Sequence, residues 1–288
     1  MITIGIIGNG FLGKATSILA SSEVQYKVYD INPEFCVPKY CTLDYLSDCN
    51  MIFICVPTPM NLDGSCNTSI VDDVIQSIRK AISNPPSIIV RSTVPVGYCK
   101  SRGVHFMPEF LTEANWKHDF VNTERWILGI NIPEFHSKLK NDLQTIFTKA
   151  SNEQKIKSSL ITWISSCEAE ATKYFRNCFL ATKVSFCNEF KQFCDKLDVN
   201  YSNVIEGVII DERIGKSHTS VPGPDGLSGY SGHCLVKDIN SLRVQMRKVG
   251  CNPVLCDASI TRNELLDRPN RDWYSDKYKG RVFFERPN

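Results

Sequence analysis

Residues 2–30 constrain the fold of this chain more than any other stretch. Ile2 to Ile7 is an isoleucine-rich run, the composition of a strand buried on both faces. It leads into Gly8-Asn9-Gly10-Phe11-Leu12-Gly13, and Lys14 to Ala20 then reads as helix. A second β-rich run, Tyr26 to Tyr29, closes on Asp30. Strand, glycine turn, helix, strand and then an acid about twenty residues on is the dinucleotide-binding fingerprint in its required context. Gly8 permits the turn, Gly10 lets a pyrophosphate approach, and Gly13 lets helix and strand pack. Asp30 would hold the ribose hydroxyls, which favours NAD over NADP. The competing reading, a structural glycine turn, leaves the flanking pattern unexplained.

The next segments continue the alternation. Residues 31–50 leave room only for a small helix around Thr42 to Ser47. Strand-like runs follow at Met51 to Val56, Ser87 to Arg91, Val104 to Met107, Arg125 to Ile130 and Leu160 to Ile164. Helical segments are expected over Thr68 to Ile82 and near Pro133 to Ala150. The pattern predicts an α/β, doubly wound, Rossmann-type parallel sheet over residues 1–165. In such a sheet the loops at the carboxyl ends of the strands line the ligand crevice, which groups Thr58, Thr93 and Glu113. Each, taken singly, also reads as an ordinary polar loop residue.

Ser165-Ser166-Cys167-Glu168 is a capping-box pattern opening a helix to about Leu197. Phe175, Phe179, Phe186, Phe190 and Phe193 recur at helical spacing, and Lys173 and Asn177 lie four apart on one face. On spacing alone those two are as well explained as the helix's solvated side. Further helix is expected over Tyr201 to Ile210, Ile239 to Val249 and Val254 to Asp267. This makes residues 166–267 an all-helical domain. The tail, 268–288, is polar, basic and aromatic, and no fold is assigned to it.

Within the helical domain, Gly229-Tyr230-Ser231-Gly232-His233-Cys234-Leu235-Val236-Lys237-Asp238 runs from a small-residue loop into a cysteine. If Leu235 to Leu242 begins a helix, Cys234 sits at its N-terminus, where the dipole favours a thiolate. Lys237 and Asp238 then fall within one turn, an arrangement suited to covalent catalysis. A buried cysteine in a tight turn is the alternative, and the chain has 13 cysteines. A net charge of +2 gives no support for nucleic-acid or anionic-membrane binding. No C-x-x-C pair occurs, so no metal site is expected. No stretch reaches membrane-spanning length, and the reading is a soluble protein of a reducing compartment, the cytoplasm.

Several motifs, in one order, resemble the UDP-glucose/GDP-mannose 6-dehydrogenases. They are the opening glycine turn, Val56-Pro57-Thr58-Pro59, Ser92-Thr93-Val94-Pro95 and Pro108-Glu109-Phe110-Leu111-Thr112-Glu113. Glu168-Ala169-Glu170-Ala171-Thr172-Lys173 running to Asn177, then Leu180 to Glu189, Asp211-Glu212-Arg213-Ile214-Gly215 and the cysteine loop complete the set. The resemblance implies Cys234 as nucleophile, with Lys173, Asn177 and Asp238 handling charge and protons at the sugar C6. It places Thr93 and Glu113 by the nicotinamide and a water. Gly8, Gly10, Phe11, Leu12, Gly13, Asp30, Pro57, Thr58 and Lys237 would hold NAD. Glu109, Phe110, Leu111, Arg213, Gly229 and Tyr230 would contact the nucleotide sugar, alongside Lys173 and Asn177. The implied reaction is a four-electron oxidation of a nucleotide-sugar C6 alcohol to a carboxylate, as in polysaccharide biosynthesis, through a cysteine thiohemiacetal and thioester. The family also implies a homodimer through the helical domain, with Arg213 reaching the neighbour's substrate. The basic tail residues Arg268, Arg271, Lys277 and Lys279 are expected over the diphosphate.

This chain departs from the family in Ser231-Gly232, where two glycines are usual, and in Val236, where proline is common. The segment after Asp30 is short, and the chain reads as a short form lacking the C-terminal nucleotide-sugar-binding domain. A hydroxyacid dehydrogenase of the 6-phosphogluconate type and a catalytically silent NAD- or nucleotide-sugar-binding protein are the competing readings. The Asp30 assignment is testable in its own right. Asp30→Ala is expected to narrow the preference for NAD over NADP, compared through the two specificity constants. Equal constants in the unsubstituted chain would count against the ribose role.

Overall fold

The computed structural model describes residues 1–131, 137–232, 234–283 and 285. Pro133, where the sequence opens a helix, and His233 of the cysteine stretch lie outside them. The chain divides into two units, Met1–Thr58 with Thr68–Lys173, and Pro59–Asn67 with Tyr174–Asn288. Sequence alone sets the division at 165 and keeps 59–67 in the first domain; here the division falls inside a helix and 59–67 joins the second unit.

The first unit is a seven-stranded sheet in the order β2-β1-β3-β4-β5-β6-β7. The strands are β1 (Ile2–Ile7), β2 (Val24–Tyr29), β3 (Met51–Ile54), β4 (Ser87–Val90), β5 (His105–Phe106), β6 (Trp126–Gly129) and β7 (Ile161–Ile164). Alternation along the central strands sends side chains to two cores. Ile4, Ile6, Met51 and Phe53 face one, with Phe120, Trp126 and Phe147. Ile7, Ile52 and Ile54 face the other, with Val71, Ile75 and Ile78. The helices are α1 (Phe11–Ser17), α2 (Ser69–Ala81), α3 (Tyr98–Arg102), α4 (Trp116–Val121) and α5 (Ser137–Asn152). Of these, α3 and α4 are too short to register in the sequence pattern.

The sheet is not wholly parallel. β6 runs antiparallel to β5, Phe106 facing Gly129. Only short helical pieces separate these two strands, and an antiparallel neighbour needs no full crossover helix. The order around β1 and β3 places a topological switch between their carboxyl ends. The loops meet closely there, for a side chain on Gly8 (φ +93°) would come within 2.7 Å of the Cys55 carbonyl oxygen.

Helix α6 (Ser166–Lys196) opens on the expected capping box. The Ser165 N–H donates to Glu168 Oε2 at 2.7 Å, and the Glu168 N–H donates back to Ser165 Oγ at 3.3 Å. The first turn is seated on β6, since a Cβ on Gly129 would lie 2.7 Å from Ser166 Cα.

The second unit packs the rest of α6 with α7 (Tyr201–Val208), α8 (Leu235–Lys248) and α9 (Val254–Arg262). A π-turn, Asn263–Asp267, ends α9, and the tail beyond it is built into the core. Trp273, Val282 and Phe283 are buried with Tyr174, Tyr230, Ile239 and Met60. Met60 is paired to the tail, its N–H donating to the Val282 carbonyl at 2.7 Å. Two 3-10 turns, Asp272–Tyr274 and Asp276–Tyr278, shape this segment. Among the described residues no helix is long and apolar enough to cross a membrane. Trp273→Ala is expected to destabilise the protein by about 3 kcal/mol, read as a lowered urea midpoint. An unchanged midpoint would show that the tail is no part of the core.

Candidate active site

The glycine turn of the first unit fits a dinucleotide. A Cβ on Gly13 would sit 1.9 Å from the Gly8 carbonyl oxygen, so only glycine lets α1 come this close to β1. Gly10 faces open space, with nothing within 4 Å of where a Cβ would be. Phe11 is half-buried and Leu12 buried behind the turn. The Asp30 carboxylate stands at the rim, accepting the Asn9 N–H at 2.7 Å and the Asn32 N–H at 2.9 Å. It is followed by the exposed Ile31 rather than by a cation that would meet a 2′-phosphate. Thr58 and Thr93 are buried at the ends of β3 and β4, and Pro57 is exposed.

The inner face of α6 buries polar groups beside the apolar Ala169, Tyr174, Cys178 and Ala181. Ser166, Glu170, Lys173 and Asn177 are spaced four, three and four, and all are buried. Phe175, Phe179 and Phe186 are 60–73% exposed. The burial of Lys173 and Asn177 excludes their reading as the helix's solvated side. Lys173 Nζ bonds Glu109 Oε1 and the Glu109 carbonyl, both at 2.6 Å, with side-chain exposures of 3% and 7%. The Phe110 ring lies 5.8 Å from the same ammonium. Glu109 Oε2 accepts the Leu111 N–H at 2.8 Å, which fixes the carboxylate. Of the two glutamates in this loop, Glu109 therefore meets the lysine. Glu113 is exposed at the head of a 3-10 turn.

In the second unit Cys234 is the N-cap of α8. Asp238, one turn on, is 1% exposed. Its Oδ2 accepts from Asn177 Nδ2 at 2.6 Å and its Oδ1 meets Lys237 Nζ at 2.7 Å. Burial works against the Lys237 ammonium, but Asp238, with Cys234 and Cys66 in electrostatic reach, holds its pKa above the ordinary lysine value. Cys234, at the head of α8, lies within electrostatic reach of that cation. Other thiols lie in apolar surroundings that disfavour charge. Burial pushes Cys49 up to about 12 and also lifts Cys55, Cys99 and Cys178.

The remaining expected contacts are placed differently. Gly229 and Tyr230 are buried, and the Tyr230 side chain belongs to the core. Arg213 stands apart, its side chain 89% exposed and folded onto Asp211, Nη2 to Oδ2 at 2.6 Å. Arg268, expected over the diphosphate, is turned inward. Its side chain is 4% exposed and held by Asp225 and Asp272. Arg271 pairs with Glu264 at 3.1 Å, while Lys277 and Lys279 are exposed.

Two buried groups escaped the sequence reading. Glu170 accepts the N–H groups of Gly97 at 2.6 Å and Cys99 at 2.8 Å, fixing the loop after Thr93. Burial lifts its carboxyl above the usual range despite those bonds. Its place in the four-three-four spacing was a usable signal. Arg91 is 1% exposed and donates to Thr16 Oγ1 at 2.6 Å. Burial depresses its pKa, opposed by Cys55 and Glu109. It sits inside a strand-like run and carried no signal.

Residues 42–151 match the NAD binding domain of the UDP-glucose/GDP-mannose dehydrogenase family, and residues 167–265 match its central domain. The chain is 33% identical over 227 residues to a UDP-glucose 6-dehydrogenase of Rickettsia prowazekii, covering 74% of this chain and 49% of that one. It is 30% identical over 296 residues to a UDP-glucose 6-dehydrogenase of Campylobacter jejuni, covering 90% of this chain and 71% of that one. The fold is shared with a UDP-glucose dehydrogenase from Pyrobaculum islandicum, at a TM-score of 0.77, 22% identity and coverage of 92% and 68%. The chain spans about half the length of the Rickettsia relatives it matches. With its glycine turn, its buried lysine and its helix-capping cysteine in the family's order, this chain belongs to the UDP-glucose/GDP-mannose dehydrogenase family.

Proposed function

We propose that the chain oxidises the C6 alcohol of a nucleotide sugar, of the UDP-glucose kind, to the carboxylate in two hydride transfers. The observation that carries this reading is Cys234 at the head of α8, beside the Lys237–Asp238–Asn177 network. A dehydrogenase that stops at the carbonyl has no use for such a thiol. The turn from Gly8 to Gly13 and Asp30 would hold NAD, with Pro57, Thr58, Thr93 and Glu113 on the following loops. Bound there, NAD supplies the hydride acceptor.

The residues divide the remaining work. Lys173, a cation withdrawn from water and oriented by Glu109, would stabilise the alkoxide formed when the C6 hydroxyl loses its proton. After one hydride leaves, the Cys234 thiolate adds to the C6 aldehyde and the oxygen takes a proton, giving a thiohemiacetal. Loss of a second hydride and that proton leaves a thioester. Water then adds, and collapse releases the carboxylate and the thiol. Asn177 and Lys173 would carry the oxyanion at the tetrahedral stages, and Asp238 would hold the Asn177 amide in place. The balance is one alcohol, two NAD and one water giving one carboxylate, two NADH and three protons.

Cys234→Ser is expected to abolish carboxylate formation while NAD binding persists. The unsubstituted chain is expected to form two NADH per sugar. One NADH would instead favour a hydroxyacid dehydrogenase, none would favour a binding protein, and unimpaired turnover in the variant would remove the thiol's role.

A homodimer completes this reading. The outer face of α6 exposes Phe175 and Phe179 stacked at 6.2 Å, and Phe190 within 5.7 Å of Phe193. An aromatic stripe of this kind on a helix calls for a partner surface. Lys183 holds the Arg213 loop by the carbonyls of Ile214, Gly215 and Ser217, at 2.6–3.0 Å. The exposed guanidinium is thus presented on a fixed loop, available to a second copy. Mixing Arg213→Ala chains with Cys234→Ser chains, each inactive alone, is expected to restore about a quarter of the sites after free exchange in a two-fold dimer. No recovery despite subunit exchange would overturn the contribution in trans.

A further inference from the structure

We propose that Arg268 and Asp272, which lie beyond the stretch matched to the family, are positioning residues that clamp the loop presenting Cys234. The proposal rests on the reading of Cys234 as the nucleophile.

The Arg268 guanidinium is almost fully withdrawn from water, a placement that is costly unless every donor is met. Its Nε donates to the Ser228 carbonyl at 2.7 Å and its Nη1 to Asp272 Oδ2 at 2.9 Å, while Nη2 pairs with Asp225. One side chain thus grips the cysteine loop at two points. Asp272 carries the grip to a third. The Ser231 hydroxyl donates to its two carboxylate oxygens, each at 3.1 Å. Ser231 stands where the family resemblance leads one to expect glycine, and its hydroxyl meets an acceptor in Asp272.

The backbone between these grips is closed by Asn263. Its Oδ1 accepts the Tyr230 N–H at 2.8 Å, and its Nδ2 donates to the Tyr230 carbonyl at 2.9 Å. The π-turn brings this about. The Arg268 N–H bonds the Asn263 carbonyl at 2.7 Å, and the widened turn points both side chains at the loop. Gly229 lies so near that a Cβ there would be 2.3 Å from Asn263 Oδ1. The loop is thereby held from Asp225 to Ser231, three residues short of the thiol. A thiol at a helix N-cap keeps its electrostatic setting only while the chain entering that helix keeps its direction.

The test compares Ser231→Ala, Asp272→Ala, the double variant and Ser231→Thr with the unsubstituted chain. The primary readout is the rate of alkylation by iodoacetamide at Cys234, resolved by peptide mass spectrometry, with the exposed Cys251 as internal control. Each single alanine variant is expected to slow alkylation of Cys234 about ten-fold at neutral pH, the change in thiolate fraction for one unit of pH. Cys251 is expected to be unaffected. The double variant is expected to lose no more than either single, because the two groups act as one contact, and Ser231→Thr to retain the rate. In turnover, kcat is expected to fall with the KM for NAD unchanged. Ser231→Ala is mild enough to remain folded if Asp272→Ala is not. Unchanged alkylation in Ser231→Ala, additive losses, or slowing of Cys251 to the same degree would overturn the clamp. Full turnover in Cys234→Ser would defeat the nucleophile reading, whereas an inert Cys234→Ser with normal alkylation in Ser231→Ala would defeat the clamp alone.

Discussion

The ion pair between Lys173 and Glu109 sets the terms for the first unit. Both groups are almost wholly removed from water, and a charge so placed must be answered by another or by several hydrogen bonds. Glu109 can meet the lysine because its second oxygen is tied to the Leu111 N–H. The lysine can point inward because α6 carries its polar stripe on the buried side. Glu170, one turn earlier, applies the same rule with backbone N–H groups in place of a cation. The second unit repeats it in Asp238 between Asn177 and Lys237, and in Arg268 between two aspartates. Breaking such a set leaves a buried charge without its partner, so these groups are held in place far more firmly than surface ions would be.

Much of the first unit could be read directly from the residues. Strands buried on both faces give continuous apolar runs, and the glycine turn fixes how the first helix leaves the first strand. The antiparallel β6 could not be read, because strand direction leaves no mark on side-chain alternation. The short helices α3 and α4 were missed for want of a full amphipathic period. Lys173 and Asn177 were found by family resemblance. Their burial was ambiguous, since spacing reports a shared face but not which way that face points. The exposed phenylalanines resolve the ambiguity only once the surroundings of α6 are known.

The tail was the least legible part. No fold could be assigned to its charged and aromatic residues, yet Trp273 and Phe283 are core and Arg268 is buried. Basic composition predicts exposure only when no acid lies nearby in space. Asp225, far earlier in the sequence, provides that acid. Contacts separated by tens of residues, such as Ser231 with Asp272 or Tyr230 with Asn263, are invisible to local pattern and decide how the cysteine loop is held.

The pairing of Met60 with Val282 bears on the order in which the molecule is assembled during synthesis. Residues 59–67 leave the first unit after β3, before α2 has begun, yet they belong with a segment made more than two hundred residues later. Domains generally fold as units as they emerge from the ribosome, and the first unit has its sheet complete by β7. The excursion at 59–67 must then wait, unpaired, while the helices are made. The second unit closes only when Val282 arrives to meet Met60. The thiol and its network therefore come into register late, after the glycine turn has already taken shape.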